Sequence, residues 1–168
     1  MTNLVVRKAT RKDIPAIVRV RRVAFTEEEV RGFALPKPSI FYFCGKMEEA
    51  WDEENLLKDG WSVFLAEDRG EIVGFIVFKV ENGMGYIDNI NVTREQQGKG
   101  IGRALVLHAE RVVKSQGSHV MHTDTTENAE GIAWKSYFFW TKMGYKETGE
   151  RIPTEWDFKE IRFVKILE

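Results

Sequence analysis

A chain of 168 residues, 43% hydrophobic and 12% aromatic, is long enough for one domain with a substantial core and too apolar to remain disordered. Its 25 lysines and arginines almost balance 26 aspartates and glutamates, and a formal net charge of −1 provides no global field to recruit nucleic acid or an anionic membrane. No apolar run approaches the ~20 residues that span a bilayer, no secretory leader is visible at the start, and one cysteine excludes an internal disulfide, so a single cytoplasmic domain over 1–168 is expected.

In chain order, Leu4 to Ala9 reads as a short strand. Asp13 as cap and Pro15 in the first turn start a helix whose stripe holds Ile14, Ile17, Val18 and Arg21. Residues 31–38 form a loop with Gly32, Pro36 and Pro38, and a second helical stretch covers about Ile40 to Leu57. Cys44 lies there among Phe41, Tyr42 and Phe43, as a small buried hydrophobe. Trp61–Glu67 and Glu71–Val80 alternate as strands around an Asp68-Arg69-Gly70 turn, and Asn82-Gly83 turns the chain into the strand Tyr86–Val92. Leu105, Val106, Ala109, Val112 and Val113 recur at helical spacing, closed by Gly117. Val120–Thr125 is the fifth strand, Ala129–Met143 the last helix, and Tyr145–Gly149 with Trp156–Leu167 an antiparallel closing pair.

The densest signal lies between the fourth strand and the following helix, where Gln97-Gly98-Lys99-Gly100-Ile101-Gly102-Arg103 places three glycines at every second position, with a lysine inside and Arg94 and Arg103 at either side. The first turn of a helix leaves four amides without internal partners, and the aligned peptide dipoles add roughly half a positive charge there. Glycine removes the Cβ that would hold an anion away and permits the positive φ that gathers successive amides into a nest. A plain left-handed turn with Lys99 and Arg103 in solvent is the alternative, but it needs one glycine rather than three. The P-loop is excluded, because Gly100 follows Lys99 and Thr93 stands where its first glycine belongs. The dinucleotide fingerprint fails as well, since Arg103 occupies its last glycine.

What fits is Gln/Arg-x-x-Gly-x-Gly/Ala, filled by Gln97, Gly100 and Gly102. This resembles the acyl-CoA signature of the GNAT N-acetyltransferase superfamily, and the order of elements is similar along nearly the whole chain. The resemblance implies a mixed α/β sheet of about seven strands with four helices, splayed between the fourth and fifth strands where the acyl-pantetheine arm enters. It further implies that the turn from Gln97 through Gly98, Lys99, Gly100, Ile101 and Gly102 to Arg103 holds the coenzyme A pyrophosphate. Backbone groups of Ile90, Asn91 and Val92 would pair with the pantetheine arm and support the thioester oxygen. Asn128 would touch the same arm or cap a helix; both can hold.

An acetyltransferase of this kind uses acetyl-CoA as co-substrate and a primary amine as acceptor, a protein N-terminus, lysine, polyamine or small amine, in direct attack within a ternary complex. An alkylamine of pKa ~10 is mostly protonated at neutral pH, so the site needs a route for its proton, a donor for the oxyanion and a proton for the sulfur. The family commonly has a tyrosine as acid four residues before the Gly-aromatic pair. Here that position, counted from Gly144-Tyr145, is Trp140. Tyr137 is the remaining candidate, displaced by about 60° at ~100° per residue, or else it packs beside Phe138 and Trp134. Asp88 and Asp124 are the candidate bases; strand alternation puts Asp88 on the face of Ile90 and Val92, and Asp124 alternatively caps the Thr125-Thr126 turn. His119 and His122 titrate in the right range but sit near a strand start, where histidine is commonly surface. Glu48, Glu49, Asp52, Glu53 and Glu54 would steer a cationic amine or form a solvated face. No histidine or cysteine pair has metal-ligand spacing, so no metal is expected, and neither nucleic acid nor membrane is a partner. The protein is expected as a monomer or homodimer. The other reading is a GNAT-fold sensor that binds acyl-CoA without turnover, and Trp140 is the residue that raises it.

Overall fold

The computed structural model describes residues 3–24, 26, 28–29, 33, 60–154 and 158–168. The helical stretch expected at Ile40–Leu57, with Cys44 and the acidic cluster, lies outside them, as do most of the 31–38 loop and Trp156. The elements in order are β1 (Leu4–Lys8), α1 (Ile14–Val23), β2 (Trp61–Asp68), β3 (Glu71–Glu81), β4 (Met84–Val92), α2 (Ile101–Ser115), β5 (Val120–Glu127), α3 (Ser136–Lys142), β6 (Lys146–Pro153) and β7 (Lys159–Ile166). The strands form one mixed sheet of order β1-β2-β3-β4-β5-β7-β6, with three α-helices among the described residues.

Each face of the sheet carries its own core. On one face Ile17 and Val20 of α1 pack against Val63, Leu65, Phe75 and Val77. At the start of that helix the Asp13 carboxylate accepts from the Thr10 amide at 2.7 Å and from the Arg7 guanidinium at 2.9 Å, and the Arg7 bonds hold its pKa well below the usual range. On the other face α2 buries Leu105, Val106, Ala109 and Val113 over Phe78, Ile87, Met121 and Phe163. Full burial of each of these side chains other than Ala109 contributes about 1.5–3 kcal/mol. Close seating of α2 requires Gly85: a Cβ there would stand 2.6 Å from Met121 Sδ and 2.8 Å from Val113.

The parallel pair β4–β5 is short. Its register holds only at Gly85↔Met121, Tyr86↔His122 and Ile87↔Thr123, beyond which the two strands run on toward Val92 and Glu127 without pairing to each other. The splay expected between the fourth and fifth strands is therefore present. A β-bulge sits at its base, because Phe78 pairs Ile87 while Val77 pairs Asn89, leaving Asp88 as the extra residue. A bulge bends its strand and breaks the two-residue alternation. Asp88 accordingly does not share the face of Ile90 and Val92; those two pack toward α2, whereas Asn89 faces α1 and bonds Arg21.

The last helix is shorter than expected, covering Ser136–Lys142 instead of Ala129–Met143. Asn128 Oδ1 accepts from the amides of Glu130 (3.0 Å) and Ile132 (2.8 Å), and Gly131 takes φ +79°. Side-chain bonds of that kind compete with helical ones, so the chain loops back and Ala133 bridges Glu127 instead. No helix among the described residues is long and apolar enough to cross a membrane.

Candidate active site at the strand split

Past Val92 a 3-10 turn, Arg94–Gln96, leads into the glycine loop and α2. Gly98 (φ +78°) and Gly100 (φ +84°) lie in the left-handed region that side chains disfavour. Gly102 serves differently: a Cβ there would meet the Phe139 ring at 3.2 Å, so this glycine lets α3 close against the start of α2. Among the described residues no backbone carbonyl accepts from the amides of residues 98–103, and the helical ladder opens with the Ala104 amide donating to Gly100 O at 3.0 Å. Lys99 and Arg103 are exposed beside this run.

Gln97 braces the loop instead of joining the run of open amides. Its amide donates to Arg94 O at 3.3 Å, and its side-chain Nε2 donates to Ala24 O at 2.7 Å and Val92 O at 2.9 Å. The end of α1, the end of β4 and the glycine turn are thereby tied together, and the Val92 carbonyl is already engaged. Glu29 adds a second tie, pairing with Lys135 at 2.9 Å and Arg94 at 3.6 Å.

The remaining wall residues stand as follows. Ile90, Asn91 and Val92 form the open edge of β4, with Asn91 Nδ2 donating to Asn89 Oδ1. Asn128 is buried, its Nδ2 donating to Phe33 O at 2.9 Å while its oxygen caps the 128–132 turn. The Thr125 and Ser136 hydroxyls meet at 2.5 Å where α3 begins. The Tyr137 phenol donates to Glu147 on β6 at 2.6 Å, which raises its pKa, and its ring packs edge-on against Phe163. Phe139, which lies over Gly102, is about 200° further round the helix at ~100° per residue, so Tyr137 faces β6 and β7. Trp140 is 2% exposed and packs edge-on against Tyr145.

On the opposite face, toward α1, the structure gathers ionisable groups from three strands. Asp124 on β5 receives two bonds from Arg162 on β7, at 3.0 and 3.3 Å, and one from the Tyr86 hydroxyl on β4 at 3.1 Å. Burial, followed by the charges of Asp124 and Asp88, raises the Tyr86 pKa and keeps that phenol protonated. Asp88 reaches water yet is surrounded by protein atoms; lost hydration raises its carboxyl pKa, Arg21 and Lys79 oppose the rise, and Asp124 adds to it. Glu160 on β7, partly buried, is pushed up to about 7 by lost hydration first and then by Asp124 and Asp88, against Arg162.

Residues 23–145 match the acetyltransferase (GNAT) family. The chain belongs to that family. It is 31% identical over 145 residues to mycothiol acetyltransferase of Amycolatopsis mediterranei, a match covering 80% of this chain and 43% of that protein. It is 28% identical over 107 residues to an uncharacterized N-acetyltransferase of Methanocaldococcus jannaschii, covering 61% and 54%. The chain thus spans about half the length of the curated relatives it matches. Its fold superposes on the PaiA N-acetyltransferase of Thermoplasma acidophilum, solved with coenzyme A, with a TM-score of 0.73 and 18% identity over 98% of this chain and 99% of that one.

Within this GNAT chain, sequence reasoning missed Tyr86, Glu160 and Arg162. Alternation along Lys159–Ile166 separates Glu160 and Arg162 from the buried Ile161 and Phe163. That pattern assigns a shared face, but only the register Asp124↔Arg162 and Thr126↔Glu160 brings them to the split.

Proposed function

We propose that this GNAT protein is an N-acetyltransferase that moves an acetyl group from acetyl-CoA to a primary amine by direct attack in a ternary complex. The run of amides at 98–103, which have no backbone acceptor among the described residues and open beside the split between β4 and β5, carries the reading. Those amides converge on a diphosphate with the helix dipole behind them, and Lys99 and Arg103 add charge at the rim. Acetyl-CoA supplies the thioester; the open edge at Ile90 and Asn91 aligns its arm and supports the carbonyl oxygen. Asn128 acts on this arm through the loop it holds, its side chain being bonded elsewhere.

The amine enters from the α1 face, where Asp88 and Asp124 provide a negative field for an ammonium group. Its body fits beside a cavity of about 360 Å³ between the 128–131 turn and the β6–β7 connection, lined by Asn128, Pro153, Thr154 and Phe158. Tyr137 reaches the sulfur only by releasing Glu147, so we assign most of the acceleration to alignment of amine and thioester. The lone Cys44 supports a reducing, cytoplasmic setting.

A sensor that binds acyl-CoA without turnover is the second reading, favoured by the buried Trp140 at the position where family members carry a tyrosine. Thiol release from acetyl-CoA, measured with spermidine, Nα-acetyl-lysine and an alanyl peptide, separates the two. Turnover of any one that is lost in Gly100→Trp supports the transferase. Coenzyme A binding by calorimetry without thiol release leaves the sensor, and no binding removes both.

A further inference from the structure

Three carboxylates share the α1 face of the split, and their engagements differ. Asp124 is held by Nε and Nη2 of Arg162 and by the Tyr86 hydroxyl, a set that occupies both of its oxygens. Asp88 sits on the bulge at the base of the split, with Arg21 and Lys79 as opposing charges. Glu160 accepts no hydrogen bond and forms no ion pair among the described residues. Its backbone pairs with Thr126 on one side and Ile152 on the other, so it stands three residues beyond the last β4–β5 pair, Ile87↔Thr123. At ~3.3 Å per residue that is about 10 Å up the split. On the other wall the bulge at Asp88 takes up one residue, so Asn91, three rungs beyond Ile87 along the β3 ladder (Phe78 to Phe75), is level with it.

We infer that Glu160 is the general base of this active site, taking the proton of the acceptor ammonium directly or through one water. The inference rests on the N-acetyltransferase reading and deepens it. The Glu160 carboxylate accepts one proton from R–NH3+, leaving a free amine whose lone pair forms the N–C bond to the acetyl carbonyl. The C–S bond breaks, the second nitrogen proton ends on the departing thiolate, and Glu160 returns its proton to water. A base operating near neutrality needs a pKa near the working pH. Lost hydration raises the Glu160 pKa first; of the charged groups facing it, Asp124 on β5 and Asp88 on β4 push it further up, Arg162 on its own strand restrains it, and Arg162 is itself shared with Glu150 on β6 at 3.8 Å. Tyr86 on β4 stays neutral and adds no charge.

The test is the pH profile of kcat/KM at saturating acetyl-CoA for wild type and Glu160→Gln, using whichever of spermidine, Nα-acetyl-lysine or alanyl peptide the wild type acetylates. Wild type should show an ascending limb with a midpoint near 7. Glu160→Gln should lose about 10²-fold or more at neutral pH and lack that limb, its rate rising instead toward the pKa of the free amine, while coenzyme A binding by calorimetry is unchanged. Asp124→Asn should move the limb to lower pH. A Glu160→Gln profile that keeps the wild-type limb and rate overturns the assignment. Carbon-13 carboxyl titration of labelled glutamates gives a readout without turnover: a signal with a midpoint near 7, absent from Glu160→Gln, is expected, and its absence from wild type also overturns the assignment. If no amine is acetylated, the transferase reading fails while this titration still reports on Glu160.

Discussion

Gly100→Ala separates the chemistry of the loop from its stability. Gly100 has φ +84° and nothing within 4 Å of an added Cβ, so the variant meets no clash. The penalty is conformational, roughly 1–2 kcal/mol for an L-residue held in the left-handed region. At about 2–4 °C per kcal/mol for a domain of this size, Tm should fall by about 2–8 °C. Part of the strain is relieved by rotating residue 100 toward negative φ, which turns neighbouring amides out of the concavity. Loss of one charge-assisted bond to a diphosphate costs about 1.5–3 kcal/mol, raising the coenzyme A Kd by about 10- to 150-fold. Calorimetry measures that Kd directly. Kinetics with two donors then locates the defect: kcat/KM should fall with acetyl-CoA but hold for S-acetyl-N-acetylcysteamine, which has the thioester and no diphosphate. Equal losses with both donors, or an unchanged Kd, would refute the cradle.

Glu110 is buried on α2, accepting from the Tyr145 hydroxyl at 3.0 Å and Lys165 Nζ at 2.9 Å. Glu110→Leu strands both donors and should cost about 2–4 kcal/mol in urea unfolding; a second change, Lys165→Met, should restore part of it, and strict additivity would contradict the coupling. Tyr137→Phe removes only the bond to Glu147, so kcat should fall far less than the about 10²-fold expected for loss of a general acid, a steady-state measurement that reverses the reading if the fall is that large. His108 packs 4.4 Å from Phe64 with Nε2 buried and unbonded among the described residues, and burial, then Arg111, lowers its pKa from 6.5. The unfolded chain therefore binds that proton more readily, and its share of stability is lost as pH falls from about 6.5 toward the folded-state pKa. Glu160, whose pKa is raised, works with the opposite sign, so the informative quantity is the difference in unfolding free energy between wild type and His108→Leu across pH 5–7, which should shrink as pH falls.

The glycine turn proposed as an anion cradle was legible in the sequence because its geometry is local. Gly98 and Gly100 set φ, the helix behind them sets the dipole, and the amides without a backbone acceptor among the described residues are consecutive in the chain. The strands were legible for a similar reason, since apolar periodicity decides which residues turn inward; their mixed sheet and its splay followed only from the family resemblance. The ionisable face toward α1 is not local. Asp88 was assigned to the wrong face because one bulge, with no residue-type signature, inverts the alternation of everything after it. The last helix lost its first half because Asn128 bonds its own loop, a choice that helical periodicity does not register. Glu160 is an ordinary exposed-looking strand residue until β7 inserts between β5 and β6 and pairs it with Thr126. Residues that bind through their own backbone are written in adjacent letters, whereas the environment that tunes a base is assembled from strands far apart in the chain. The same logic explains why the acceptor-side groups of this chain depend on strand register: changing the bulge at Asp88 would redirect the Arg21–Asn89 contact and the field on Glu160 together, without touching one residue of the glycine loop.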